Sequence, residues 1–280
     1  MQHDLSRFAI NQITTKAWSM PEAIEGYRAQ GVTGIACWRQ YLDDYGVGQT
    51  ARHLRDAGMW VASLCTSAWF DADTAQGMAQ AITANRAILD QAAEIGAPTV
   101  VMVVGGLPAG SRDLHGHRAR VTEALHDLSA HALQTGVKLG IEPLHPMYCG
   151  YRSVINTIAQ ANDLCDALGD TASGLVPDVY HCWWDPAFRA ELQRAGAERI
   201  LTFHLCDWLV PTRGMFDRGM VGDGVIDIAA IRGWLDEIGY RGVFELEIFS
   251  DLDWWRRPGE ETVRIAIERC APFVAQLQEV

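Results

Sequence analysis

The sequence has no long apolar run and no closely paired cysteines, and these two absences exclude several classes of protein. No stretch approaches the roughly 18 uninterrupted apolar residues of a membrane-spanning helix. The seven cysteines are odd in number, scattered and without a CxxC pair, which is typical of reduced cytosolic thiols. The N-terminal stretch MQHDLSRFAI lacks the basic flank and apolar centre of a signal peptide. We therefore expect a soluble cytoplasmic protein.

Positive charge is also scarce. Lysine and arginine number 23 against 35 aspartates and glutamates, which gives a formal net charge of −12. This balance disfavours a surface for nucleic acid or for an anionic membrane. The sequence contains neither a P-loop nor a dinucleotide fingerprint, so we expect no nucleotide cofactor. Hydrophobic residues make up 49% of the 280 positions, enough for one large α/β barrel.

Eight apolar, strand-like segments alternate with stretches of helical periodicity. The strand-like segments are RFAINQI, GIACW, WVASLCTSAWF, TVVMVVGG, VKLGIEP, GLVPDVYH, ILTFHLCD and GVFELEIF. Several helical stretches end at a glycine just before the next strand, as helix C-caps do. Alternation of this kind implies a parallel sheet, and eight repeats favour a closed barrel. We predict an α/β fold with a single (β/α)8 TIM-barrel domain over residues 1–280.

Polar side chains stand at the ends of the last four predicted strands. They are Glu142, Asp178, His204 and Glu247. In a (β/α)8 barrel the chemistry lies at the carboxyl ends of the strands. In the segment FELEIF, strand alternation turns the apolar residues toward the helices and directs Glu245 and Glu247 into the barrel. We therefore expect three carboxylates and one imidazole to converge on a single point.

Converging carboxylates repel one another unless a cation lies among them. Taken singly, each acid is better explained as a strand-end residue that is hydrogen-bonded to a helix N-terminus or to an arginine. Four such groups on consecutive strands favour a metal, which would also compensate the buried carboxylate of Glu142. Oxygen and nitrogen ligands, mostly carboxylates, suit Mn²⁺, Mg²⁺ or Co²⁺ better than a thiolate-type zinc site. We predict one divalent ion, Mn²⁺ first, with Mg²⁺, Co²⁺ or Zn²⁺ as alternatives.

The stretches GIEPLHP, PDVYH, FHLCD, RGMVGDGVIDIAAI and GYRGVFELEIF resemble the xylose-isomerase-like TIM-barrel superfamily. Within it they are similar to the sugar isomerases and epimerases of the D-tagatose 3-epimerase type. The superfamily also contains inosose dehydratases and endonuclease IV. The resemblance implies that Glu142, Asp178, His204 and Glu247 hold a single metal. It also implies that Glu142 and Glu247 exchange protons with the sugar carbon from opposite sides.

Five residues are predicted to contact the substrate. The resemblance implies this role for His181 and Arg218. His145 lies just past the first predicted ligand and is a candidate by position. Trp183 and Trp69 belong to a group of tryptophans near predicted strand ends, where aromatic rings suit the apolar face of a sugar. For each tryptophan, ordinary packing or a subunit interface is an equal alternative.

The predicted function is metal-dependent isomerisation or epimerisation of a keto-sugar. A carboxylate would remove the proton next to the carbonyl, through an enediolate that the metal stabilises. The alternative is a lyase that acts on a 3-keto-glycoside or an inosose with the same chemistry. A phosphodiesterase like endonuclease IV is less favoured, because the segments CTSAWF and VVGGLP offer no extra metal ligands. We expect a small-molecule sugar as the partner, neither nucleic acid nor a membrane, and a homodimer or homotetramer as an option.

Overall fold

The structure is a computed structural model that describes residues 4–275. Eight short parallel strands in this range form a closed barrel. The barrel strands, labelled β1 to β8 in chain order, are Phe8–Asn11, Gly34–Trp38, Trp60–Cys65, Thr99–Met102, Lys138–Ile141, Ser173–Leu175, Thr202–Leu205 and Val243–Leu246. Neighbours pair in sequence from β1 to β6, and β8 pairs with both β1 and β7. Two parallel bridges close the ring between β6 and β7, from Leu175 to Ile200 and from Asp178 to His204. The predicted α/β barrel fold is confirmed.

Helices connect the strands and surround the barrel. The α-helices are Met20–Ala29, Arg39–Tyr45, Val47–Asp56, Ala75–Ile95, Leu114–Thr135, Ile158–Leu168, Val179–Cys182, Phe188–Arg199, Ile228–Glu237 and Gly259–Val274. Short 3₁₀ helices span Gln12–Thr15, Pro146–Tyr148 and Trp254–Arg256, and Asp207–Trp208 forms a two-residue antiparallel ribbon with Arg218–Gly219. Over the described range, no helix combines the length and the apolar character needed to cross a membrane.

Side-chain caps and glycines set the ends of the two longest helices. Thr74 accepts a hydrogen bond from the amide of Gly77 at 3.1 Å, and Asp113 accepts one from Gly116 at 2.7 Å. Gly96 and Gly136 end the same helices in the left-handed conformation, with φ of +77° and +72°. Each helix therefore stops just before the next strand begins, and the carboxyl ends of all the strands lie at one end of the barrel.

Strand alternation separates an apolar outer layer from a more polar barrel interior. On β8, Phe244 packs in the core between strands and helices, whereas Glu245 faces the barrel axis. Glu245 is in register with Ala9 of β1, and Ala9 forms a small buried cluster with Ala36 and Ala62. Because alanine side chains are short, the interior has room for longer polar side chains from other strands.

Two glycine substitutions test this packing. A Cβ atom on Gly34 of β2 would lie 2.5 Å from the carbonyl oxygen of Phe8 and 2.4 Å from the Trp60 ring. We expect Gly34→Ala to lower the free energy of unfolding by about 1–3 kcal/mol, because backbone of the neighbouring strand must shift. A Cβ on Gly233, within the helix Ile228–Glu237, meets nothing within 4 Å, so Gly233→Ala should raise it by up to about 1 kcal/mol. Thermal unfolding of both variants makes the comparison, and equal midpoints would contradict it.

Candidate metal centre

Four buried polar side chains meet at the carboxyl end of the barrel. Glu142 follows β5, Asp178 follows β6, His204 lies within β7, and Glu247 follows β8. One ligand atom from each of them lies within 4.8 Å of the others. None of the four residues is more than 4% exposed. The strand ends of half the barrel thus place three carboxylates and an imidazole around one point.

Local sequence explains how two of these side chains are presented. Pro143 follows Glu142 and favours extended backbone there, so the glutamate continues the direction of its strand. Asp178 is the N-cap of the four-residue helix Val179–Cys182, and one of its oxygens accepts the amide of Tyr180 at 2.8 Å. Its other oxygen remains directed at the cluster, where it lies 2.7 Å from Arg218.

The imidazole of His204 lies between carboxylates on both sides. Its Nδ1 atom is 3.2 Å from Oε1 of Glu142 and 3.6 Å from Oε2 of Glu247. On the other edge of the ring, Nε2 is 3.1 Å from Oε2 of Glu245. These contacts are not aligned as hydrogen bonds, so both ring nitrogens and Oε1 of Glu142 are buried without a hydrogen-bond partner.

Arg218 supplies the permanent positive charge of the cluster. It lies on the two-residue ribbon, is 4% exposed, and packs between the rings of Tyr180 and Phe249 at 4.4 and 4.8 Å. Its Nη1 atom donates to Asp178 at 2.7 Å and to Glu247 at 3.0 Å. Its Nη2 atom is 3.2 Å from Nε2 of His181. The guanidinium therefore joins two carboxylates of the cluster to a second histidine.

The protein groups shift the pKa values of the two glutamates in opposite directions. Burial raises the pKa of Glu142 to about 7. Burial also acts to raise the pKa of Glu247, but the charges of His204 and Arg218 outweigh it and lower that pKa to about 2. Burial, opposed by Arg218, raises the pKa of Asp178. Glu142 and Glu247 have the same side chain but differ in the pKa that their surroundings give them.

The two histidines also differ. Burial acts to lower the pKa of His204, but Glu245 and Glu247 outweigh it and raise that pKa well above its usual value. Burial and the charge of Arg218 both lower the pKa of His181, which is therefore neutral and can accept from the guanidinium. The neutral ring of His181 leaves its other nitrogen, Nδ1, buried without a partner.

The donor set fits a divalent cation. Three buried carboxylates face a single guanidinium, so the cluster has an excess of negative charge when they are ionised. The unpartnered atoms Glu142 Oε1 and His204 Nδ1 are of the types that bind Mn²⁺, Co²⁺ or Zn²⁺. Burial raises the pKa of the Cys65 and Cys206 thiols well above the usual value, so neither offers a thiolate.

Within residues 4–275, these four residues are the one convergent group of three or more histidine, cysteine or acidic side chains that could hold a metal. The ends of β3 and β4 contribute no member to it. A multinuclear cluster of the endonuclease IV type would need further ligands, so the described part of the chain does not support that alternative.

The other predicted substrate residues lie among aromatic side chains. The ring of His145 is 5.5 Å from that of Trp184 and 5.4 Å from that of Trp208, and its Nδ1 accepts the amide of Met147. Trp183 packs 5.7 Å from the same Trp208 ring. Trp69 meets Tyr151 edge-on at 6.1 Å in a different loop region. His181 and Arg218 contact the acidic cluster directly, whereas these three residues form aromatic contacts within the loops.

Sequence reasoning missed Asn11, a buried residue at the end of β1. Its Nδ2 atom donates to Oε1 of Glu247 at 3.2 Å, and its Oδ1 atom accepts from the indole N–H of Trp38. The available signal was its position, because an asparagine ends an otherwise apolar first strand, FAIN. Glu245 was predicted to face the barrel interior, but its contact with His204 was not foreseen.

A family model described as "Xylose isomerase-like TIM barrel" matches residues 24–273, a range that contains the whole acidic cluster. The chain belongs to the xylose isomerase-like TIM-barrel family. This agrees with the resemblance carried by the sequence stretches around β5 to β8.

Relatives of this chain carry names of three kinds of enzyme. An inosose isomerase of Bacillus velezensis is 26% identical over 241 residues, 85% of this chain and 84% of the relative. A D-psicose 3-epimerase of Enterocloster bolteae is 28% identical over 169 residues, 58% of this chain and 52% of the relative. A 3-dehydroshikimate dehydratase of Pseudomonas aeruginosa is 25% identical over 243 residues, 83% of this chain but 36% of that protein. The chain is accordingly an enzyme of the xylose isomerase-like family.

Solved structures agree on the fold. A protein from Sinorhizobium meliloti 1021 is 42% identical, with a TM-score of 0.93 over 96% of this chain and 99% of that one. The IolI protein, whose crystal structure contains a zinc atom, is 22% identical, with a TM-score of 0.82 over 96% of this chain and 98% of its own. The second likeness establishes the shared barrel, and its zinc is a property of IolI.

Removing one carboxylate should remove metal-dependent stabilisation. A cation at about 100 times its dissociation constant raises the free energy of unfolding by about 2.7 kcal/mol. We expect the melting temperature of the wild type to rise with Mn²⁺ or Zn²⁺, and the rise to be largely lost in Asp178→Asn. Asp207→Asn is the matched control, because Asp207 is a buried aspartate that accepts the amides of Gly222 and Ile226, each at 3.0 Å. A full metal-dependent rise in Asp178→Asn would contradict the predicted site.

Proposed function

We propose that this enzyme is a metal-dependent isomerase or epimerase of a sugar or keto-sugar. The observation that carries the proposal is the buried group of Glu142, Asp178, His204 and Glu247, with ligand atoms within 4.8 Å at the catalytic end of the barrel. Names of relatives support the substrate class, since they include an inosose isomerase and a D-psicose 3-epimerase. Both names refer to polyhydroxylated compounds with a carbonyl group, in which the adjacent C–H proton is the one to be moved.

In this proposal the four residues hold one divalent ion, with Mn²⁺ as the preferred metal because three of the four ligands are carboxylates. When bound, the ion would supply a Lewis acid that makes the proton next to the substrate carbonyl easier to remove. Zinc remains the principal alternative, since the related IolI structure contains a zinc atom.

Residues of the chain are assigned to proton transfer and to substrate binding. Glu142 and Glu247 follow strands that are not adjacent in the barrel, β5 and β8. We assign one to remove the proton from the sugar carbon and the other to return it. Arg218 and His181 are assigned to bind substrate hydroxyls, because both are buried beside the acidic cluster and carry hydrogen-bonding atoms toward it. The aromatic side chains around His145, Trp183 and Trp69 would form the wall of the pocket.

A lyase is the second candidate function. If a leaving group lies β to the carbonyl, removal of the same proton leads to its elimination. One relative is a 3-dehydroshikimate dehydratase, and its name supports elimination of water as the alternative reaction. The residues that move the proton would be the same, so the substrate would decide between the two outcomes.

Location and assembly complete the proposal. All seven cysteines are free thiols, and six of them are buried, which supports a reducing compartment such as the cytoplasm. Assembly into a dimer or tetramer and a single domain over residues 1–280 stay predictions.

Proton exchange in D₂O tests the reaction class. The metal-loaded enzyme would be incubated with free ketoses, inososes, 3-keto-glycosides and 3-dehydroshikimate, and followed by NMR. We expect deuterium to enter next to the carbonyl while the carbon skeleton is retained, and this exchange to stop on chelation and return with Mn²⁺ or Co²⁺. Exchange with loss of water or an aglycone would move the assignment to lyase. Undiminished exchange after verified metal removal would contradict the metal-dependent mechanism.

Amide replacements test the two proton carriers. Glu142→Gln and Glu247→Gln keep the side-chain shape but cannot carry the proton, so each should lower the exchange rate by about 10²–10⁴-fold. Glu237→Gln is the control, because Glu237 pairs with Arg189 on the outside of the barrel and should retain the wild-type rate. A near-normal rate in either site variant, measured at saturating metal, would remove that residue from its assigned role.

A further inference from the structure

Glu245 is a fully buried carboxylate for which neither metal binding nor proton transfer provides a role. It is 0% exposed and lies inside the barrel, two residues before Glu247. Its Oε1 atom accepts from the Thr202 hydroxyl at 2.7 Å, and its Oε2 atom accepts from the Ser63 hydroxyl at 3.1 Å and from Nδ2 of Asn11 at 3.5 Å. These hydroxyl and amide groups are neutral donors, and a buried carboxylate with neutral donors alone is costly. A further donor is therefore expected next to it.

Strand pairing places His204 next to Glu245 as that donor. Strands β7 and β8 are paired in parallel register with His204 opposite Glu245, so the two side chains emerge side by side into the barrel. Nε2 of His204 is 3.1 Å from Oε2 of Glu245. The distance is already that of a hydrogen bond, so alignment needs a reorientation of the imidazole ring and not a movement of the strands.

The two edges of the imidazole face different surroundings. Nδ1 faces Glu142 and Glu247 within the acidic cluster, at 3.2 and 3.6 Å, whereas Nε2 faces Glu245. A neutral imidazole carries a proton on one nitrogen and a lone pair on the other. A metal ligand must present the lone pair to the ion, so the proton has to lie on the opposite nitrogen.

We propose that Glu245 is a positioning residue that accepts the Nε2–H of His204 and thereby holds Nδ1 as the metal-binding nitrogen. Thr202, Ser63 and Asn11 all donate to Glu245, so its carboxylate keeps hydrogen bonds when one of these donors is removed. This inference rests on the metal site of the proposed function. It adds a residue outside the four-residue group that would act on a bound ion through the histidine, as carboxylate–histidine–metal arrangements do.

Glutamine replacement separates this role from simple packing. Glu245→Gln keeps the shape of the side chain but removes its negative charge, and we expect the dissociation constant for Zn²⁺ to rise by about 10–100-fold. Ser63→Ala is the matched control, because it removes one hydrogen bond to Glu245 and leaves the carboxylate and its contact with His204. Its effect on zinc affinity should be less than about tenfold. Chelator competition measures the affinity, and circular dichroism checks that both variants are folded.

A spectroscopic measurement identifies the zinc-bound nitrogen directly. Among the nine histidines, the one whose imidazole ¹⁵N resonances respond to zinc would be followed in labelled protein. We expect Nδ1 to be the zinc-bound nitrogen and Nε2 to carry the proton, with a changed Nε2 resonance in Glu245→Gln.

The results that would overturn the proposal are distinct from those that would overturn the proposed function. Zinc on Nε2 of His204, or unchanged zinc affinity in folded Glu245→Gln, would remove Glu245 from this role and leave the enzyme assignment untouched. Loss of affinity in Ser63→Ala as large as in Glu245→Gln would assign the effect to general disturbance of the barrel, and so would also overturn it. Conversely, the expected zinc data without proton exchange in any sugar would support Glu245 and contradict the proposed reaction.

Discussion

The interaction on which this structure depends is electrostatic repulsion among buried carboxylates. Glu142, Asp178 and Glu247 point at one another with almost no access to water, and Arg218 is the fixed cation in direct contact with two of them. Such a group is costly in a low-dielectric interior, and it persists only where surrounding structure or a bound cation compensates it. Burial raises the pKa of Glu142, whereas the charges of His204 and Arg218 outweigh burial and lower the pKa of Glu247, so the two carboxylates are unequally compensated.

The barrel supplies the rigidity that such a cluster requires. Each of its four members lies in or just after a different strand, and hydrogen-bonded pairing in a closed ring constrains the distances between their backbones. The bridge from Asp178 to His204 is itself part of the closure between β6 and β7. Moving the backbones of these residues apart would break the strand pairing. The fold thus holds groups close together that would move apart on a flexible loop.

An acidic cluster held by the barrel, with loops around it that differ between proteins, is compatible with the different reactions named for the relatives. Isomerase, epimerase and dehydratase reactions can share one first step, the removal of a proton next to a carbonyl. In the proposed function, the later steps depend on the substrate and on the side chains that contact it. In this chain His145 lies near two tryptophan rings, in a loop and outside the four-residue acidic cluster.

The sequence by itself determined the barrel and the four strand-end residues, since both depend on local patterns. Strand alternation and the eightfold repeat are visible without knowing which strands touch. It did not determine how the side chains of the site contact one another. Asn11 reaches Glu247 across 236 residues of sequence, and Arg218 joins Asp178 to Glu247 from a ribbon of two residues. Glu245 meets His204 because two strands pair in one register. These contacts exist only once the ring is closed, because closure sets the register between strands that local sequence leaves free.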